Sequence, residues 1–161
     1  MNGALFVRGG LAALALVAIA IMIITAPTAP YALQDWNMEP RPSLPTHMKV
    51  WLGFMLLANL SSIAFVRRHV AARFVLGGWV VGHLWIGAIE GFGLFTPTGG
   101  FVSLGHLVFW APAIWALYHY RHEIKLPSAY SIWACLMSFV YAVSLVFDIR
   151  DSAIWIVAQL G

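Results

Sequence analysis

Apolar runs of helix length recur along this chain, at residues 6–25, 50–66, 74–95, 101–118 and 129–147, with polar breaks between them. A helix rises 1.5 Å per residue, so about 20 apolar residues cross a hydrocarbon core of about 30 Å. The pattern predicts an all-α integral membrane protein, a five-span transmembrane helical bundle filling residues 1–161 as a single transmembrane domain. The first run carries Arg8 near its start and Pro27 and Pro30 after its end. It reads as a retained first span rather than the apolar part of a cleaved leader.

The breaks have their own chemistry. Residues 31–49 hold Pro40, Pro42 and Pro45 with Asp35, Trp36, Glu39, Arg41 and His47. Three prolines forbid a regular helix there, and the segment reads as an ordered surface loop, with a lid over a polar cavity as the sharper alternative. Pro97, Gly99 and Gly100 mark a tight turn between the third and fourth runs. Pro112 lies inside the fourth run, where it removes one hydrogen bond, frees the Val108 carbonyl and predicts a kink. The tail, 149–161, is too short to span and is expected to form a short segment in the interface or to cap the bundle.

Composition sharpens this picture. Hydrophobic residues make up 61% of the chain and charged ones 9%, against about 25% charged in a soluble domain. The single cysteine, Cys135, lies in an apolar run. It offers neither a disulfide framework nor a zinc cluster, and reads as a packing thiol. The net charge of +3 matters less than its placement. With five spans, Arg8, Arg67, Arg68, Arg73, Arg121 and Lys125 fall on one side, and Arg41, Lys49 and Arg150 on the other. The positive-inside rule then puts the N-terminus in the cytoplasm and the C-terminus outside, in an inner (plasma) membrane. The expected partners are the lipid bilayer and either further copies of the chain or partner membrane subunits. A nucleic-acid partner is not expected.

Ionisable residues inside apolar runs are costly and usually turn away from lipid. His83 and Glu90 share a face of the third run, seven residues apart, and His106 lies in the fourth. Tyr141, Ser144 and Asp148, with Ser138, form a polar stripe on the fifth, and Asn59 and Ser62 share a face of the second. Counting rise from the outer ends places Glu90 and His106 at one level on antiparallel neighbours. His47 and Asp148 begin and end spans on that same side. These four therefore form the candidate ligand set, with Tyr141, Ser144 and Trp51 lining the space beneath. Imidazole and carboxylate together suit a divalent transition metal. They equally suit a proton, an ion or a polar ligand on a path across the membrane. No His-Glu-x-x-His or Cys-x-x-Cys spacing supports a known metal signature.

His83 lies near mid-membrane. It could hold a haem axially with Met55 or Met137, a weaker reading than the metal. A hydrogen bond to Asn59, a serine or Tyr141 explains it without a cofactor. His69, His119 and His122, beside arginines, read as an interfacial basic rim, with a metal site or lipid phosphates as alternatives. Gly78 and Gly82, and Gly87 and Gly91, have the four-residue spacing that lets helix backbones approach, so the third span is expected at the centre of the bundle or at a subunit contact. Trp36, Trp51, Trp79, Trp133 and Trp155 fall near expected interfaces, and Trp85 and Trp110 deeper.

The favoured expectation is non-enzymatic. It is a small multi-pass protein with a polar, outward-facing intramembrane cavity that binds an ion or small ligand through Glu90, His106, His83, Asp148, Tyr141 and His47, for transport. The alternatives are a metal- or haem-binding protein or redox-complex subunit, and a scaffold subunit of a larger membrane complex.

Overall fold

The computed structural model describes residues 46–160, with Thr46 and His47 as backbone alone. The first expected span and the proline-rich loop up to residue 45 lie outside the described residues. Four helices follow in order: α1 (Thr46–Leu60), α2 (Val70–Gly91), α3 (Gly99–His119) and α4 (Ala129–Leu160). A 3-10 turn, Ser61–Ala64, extends α1, and another, Arg121–Glu123, follows α3. The described residues contain no strand. Three helices, α2, α3 and α4, are long and apolar enough to cross a membrane; Met48–Ala64 forms a shorter apolar helix.

Local chemistry sets the ends. At the start of α2 the Arg73 Nε and Nη2 donate to the carbonyls of Val66 and Arg67 (2.7 and 3.2 Å). These bonds tie the basic turn to the first turn of the helix. At its end, Gly93 N–H donates to the Glu90 carbonyl and Leu94 N–H to that of Ile89. This double closure needs a left-handed residue at the turn, and Gly93 supplies it with φ +64°. α2 therefore stops at Gly91, four residues short of the expected limit at 95. At the start of α4, Ser128 Oγ accepts from the Ser131 N–H (3.1 Å), a side-chain N-cap.

α4 corrects the expected fifth span. It runs unbroken to Leu160, so the tail is its last three turns rather than a separate segment. No proline or glycine interrupts 129–160. The charged residues that suggested a boundary fit within the helix, where Arg150 Nε donates to Asp151 Oδ1 (2.8 Å). Trp155 packs its ring 5.5 Å from that of Phe101 at the start of α3. At 1.5 Å per residue α4 is about 47 Å long, more than the hydrocarbon core requires.

The core lies where α3 packs between α2 and α4. Small side chains allow the approach: Ala71 and Ala72 from α2, Ala113 and Ala116 from α3, and Ala134 from α4. Met55 and Ala58 of α1 close the same core, with Met137 and Val140 of α4. Among the described helices α3 holds the middle, and α2 lies on its flank, where the alternative expectation of a subunit contact would put it. Only one of the two glycine pairs of α2 is used. A Cβ on Gly78 would meet the Phe109 carbonyl oxygen at 2.5 Å, and one on Gly82 would touch the Phe109 ring, whereas a Cβ on Gly87 or Gly91 would meet nothing within 4 Å among the described residues. Trp110 is buried and Trp85 stacks on Phe101 (4.9 Å), both as expected of the deeper tryptophans. Trp133 is instead a core residue beside Phe65 and Tyr130.

These contacts predict opposite outcomes for two glycines on one helix. Gly78→Ala drives a methyl into backbone that cannot rotate away, and should cost about 1–3 kcal/mol. Gly87→Ala should be neutral or slightly stabilising. Thermal unfolding in detergent checks both. Equal melting temperatures for the two variants would contradict this packing.

Candidate functional site

The polar stripe on α4 is the base of the site. Tyr141, Ser144 and Asp148 stand at i, i+3 and i+7 and are all buried. Tyr141 Oη–H donates to Asn59 Oδ1 on α1 (2.9 Å), and Asn59 Nδ2 donates to the Met55 carbonyl one turn back (2.9 Å). Ser144 Oγ–H reaches Met55 Sδ (3.2 Å). Ser138, expected in the stripe, is exposed and donates to its own helix at Ala134 (2.8 Å).

Asp148 meets α3. Its Oδ1 accepts from His106 Nδ1 at 3.1 Å, and the imidazole is itself mostly buried. His106 lies flat on Trp110, one turn further along α3, with ring centroids 4.0 Å apart and planes 9° apart. Trp110 stacks in turn on Tyr141 (5.1 Å, 27°). Asp148, His106, Trp110, Tyr141 and Asn59 therefore form one continuous column that crosses from α4 to α3, back to α4 and on to α1. Trp110 is 2% exposed and Tyr141 1%, so its middle is sealed. His106 is seven residues from the start of α3, about 10 Å along the helix.

One atom in the column is unsatisfied. Asp148 Oδ2 is buried and has no hydrogen-bond partner among the described residues. A buried carboxylate oxygen without a donor is unfavourable, by roughly 1–3 kcal/mol or more for a charged group. It invites a proton, a cation or a water. With the Nδ1 proton committed to Oδ1, the Nε2 of His106 is left as an acceptor.

The rest of the expected ligand set separates. Glu90 stands on the exposed last turn of α2, while His106 is two turns inside α3, so the two are not level. The reason is the early stop at Gly91, imposed by the left-handed Gly93. Among the described residues no three His, Cys, Asp or Glu side chains come together to hold a metal ion. Of the expected quartet, the described side chains bring His106 and Asp148 together. The backbone of His47 begins α1, and its side chain lies outside the described residues. Trp51 packs against Phe54 (5.6 Å) and against the core cluster that includes Met55 and Tyr141.

His83 also departs from expectation. Its Nδ1 donates to the Trp79 carbonyl one turn back (2.8 Å), on the exposed side of α2. The partners expected for it, Asn59 and Tyr141, bond each other. Met55 and Met137 are buried in the core, so neither shares its face for a histidine–methionine haem.

A second cluster, unseen in the sequence, closes the basic end. His69 Nδ1 donates to Glu123 Oε2 at 2.8 Å, and the imidazole stacks on Tyr130 at 3.4 Å with planes 5° apart. Only the rim character of these residues was legible, because the partners lie 54 positions apart. Trp110 could have been found, since it stands one helical turn from His106.

Two grooves open on the outside of the bundle. One of about 310 Å³ lies between α2 and α3 near Gly77 and Gly78. The other, about 290 Å³, lies between α3 and α4, with Arg121 at its basic end and Ser138 and Tyr141 deeper. Both are lined mainly by apolar side chains. No family model matches this chain, and no curated protein or solved structure matches it either.

Proposed function

We propose that this chain is a small, non-enzymatic, multi-pass protein of the inner membrane that binds a proton or small cation at the Asp148–His106 pair and moves it across the bilayer. The observation that carries this reading is Asp148 Oδ2, unpartnered among the described residues and buried beside an imidazole between helices long enough to span. Ionisable side chains in spanning helices are expensive, and function is the usual reason they are kept. The stacked column gives the pair a mechanical link to Tyr141 and Asn59. A change of charge at Asp148 would therefore be felt by α1, α3 and α4 together. The α3–α4 groove offers an approach to Tyr141 from the basic end. The five-span count, with a cytoplasmic N-terminus, belongs to the same proposal and rests on the distribution of basic residues.

The test is flux in vesicles. Purified protein is reconstituted into liposomes holding a pH-sensitive dye, and a potassium diffusion potential is applied. Proton entry, or sodium or potassium entry followed by its own dye, should exceed that of protein-free vesicles and fall to background in His106→Gln. Rates equal to protein-free vesicles for all three ions would reject the reading.

A second reading has one specific support. The outer face of α2 exposes His83, Leu84, Gly87 and Glu90 at helical spacing. This face suits packing against a partner subunit or a second copy, as a scaffold role requires.

A further inference from the structure

The α2–α3 groove has a shape and charge that the ion reading does not use. Its mouth is Arg73, in the first turn of α2, and its floor is Gly77 and Gly78. Val81 and Val108 wall its deeper end, and Pro112 stands nearer the mouth, between the level of Phe74, which meets Trp115, and that of Gly78, which meets Phe109. Two adjacent glycines strip the side chains from this part of α2. Gly78 brings the backbone of α3 close, and Gly77 leaves the space above it open. Val81 and Val108 are 49% and 61% exposed, so the groove faces outward along its length. From Arg73 to Val81 is eight residues, about 12 Å of helix. That is the length of about ten methylenes in an extended chain built from 1.5 Å carbon–carbon bonds.

The mouth is chemically distinct. The guanidinium of Arg73 is held in place by the carbonyls of Val66 and Arg67. Arg67 and Arg68 are exposed beside it. His69 precedes the helix and gives no side-chain cap, so the first N–H groups of α2 point toward the same end without a side-chain acceptor. Fixed positive charge and a helix N-terminus together attract a phosphate.

We infer that this groove holds one acyl chain of an anionic glycerophospholipid from the leaflet at the basic end, with its phosphate at Arg73. The apolar floor accepts the chain, and the arginines select the headgroup charge. A bound lipid would fill the space between α2 and α3 that the glycines leave.

Native mass spectrometry of the full chain in mild detergent tests this, titrating phosphatidylglycerol and phosphatidylcholine with identical acyl chains. Phosphatidylglycerol should bind about fivefold more tightly, the usual effect of one basic residue at an anionic surface. Arg73→Lys should keep that preference and Arg73→Gln abolish it. Gly77→Leu should displace both lipids, because the added side chain enters open space. Val81→Trp blocks the groove from its deeper end and decides the matter if Gly77→Leu does not fold, with helicity checked by circular dichroism. Equal affinity for the two lipids in the unmodified chain would overturn the inference. So would lipid retention in folded Val81→Trp, or a disulfide-linked dimer formed efficiently through Val81→Cys, which would show a second copy on this face.

Discussion

Asp148→Asn should leave the protein folded and remove its ion flux, by at least about a hundredfold if a proton or cation binds the carboxylate. The asparagine carbonyl can still accept from His106 Nδ1, so the link between α4 and α3 survives. A buried negative charge disappears at the same time, and the unsatisfied Oδ2 becomes an amide nitrogen. These changes offset, and stability should stay within about 1 kcal/mol of the original. Asp148→Ala differs. It strands the His106 N–H in a site that is 23% exposed at the imidazole, and should cost about 1–3 kcal/mol. The contrast separates function from structure. A residue kept only for its bond to His106 loses stability in the alanine variant alone and leaves flux intact in the asparagine one. A residue kept for ion binding loses flux in both and stability only in the second. Thermal unfolding and vesicle flux on the same preparations give the answer. Undiminished flux in Asp148→Asn would remove the pair from the mechanism.

Trp110→Ala should be the most destabilising single change in the described core, at about 3–5 kcal/mol. Trp110 is 2% exposed and fills the junction where α3 meets α4, with His106 on one face and Tyr141 on the other. Truncation leaves a cavity between the His106 and Tyr141 rings. It also frees the imidazole to leave Asp148. Trp110→Phe keeps a ring between His106 and Tyr141 and should restore most of the loss. Melting temperature in detergent measures the cost, and aromatic circular dichroism reports the stacked rings. A Trp110→Ala protein that melts within a degree or two of the original would show that the column contributes little to the core.

The candidate site was half legible in the sequence. Tyr141, Ser144 and Asp148 could be placed on one face because helical period is a local property, and all three are buried together. His106 could be marked because an imidazole in an apolar run has few harmless explanations. Its partner could not be chosen. Glu90 and Asp148 were both available, and the choice depended on how far α2 extends. Reading Phe92 to Phe95 as helix put Glu90 at the level of His106. One left-handed residue, Gly93, ends the helix sooner and takes Glu90 to the rim. The tail was misread for a related reason. Asp148, Arg150 and Asp151 look like a membrane boundary in one dimension, and charges that find partners inside a bundle need not end a helix.

What the sequence by itself determined is the material in hand: helix-length apolar runs, a break between the third and fourth of them and another between the fourth and fifth, and the polar residues set within them; the turn expected at 96–100 lies at 92–98 instead, with Gly99 and Gly100 already in α3. Each depends on hydropathy, proline and glycine placement, or a period of 3.6, all of which act over a few residues. Only the tertiary structure decided which faces meet. Tyr141 finds Asn59 across 82 positions, and His69 finds Glu123 across 54. Among the described helices α3, flanked by α2 and α4, holds the middle. Those outcomes rest on helix rotation and axial offset, which are fixed by close contacts such as Gly78 against the backbone of Phe109. Such contacts join residues far apart in the chain, and no periodicity within one helix encodes them.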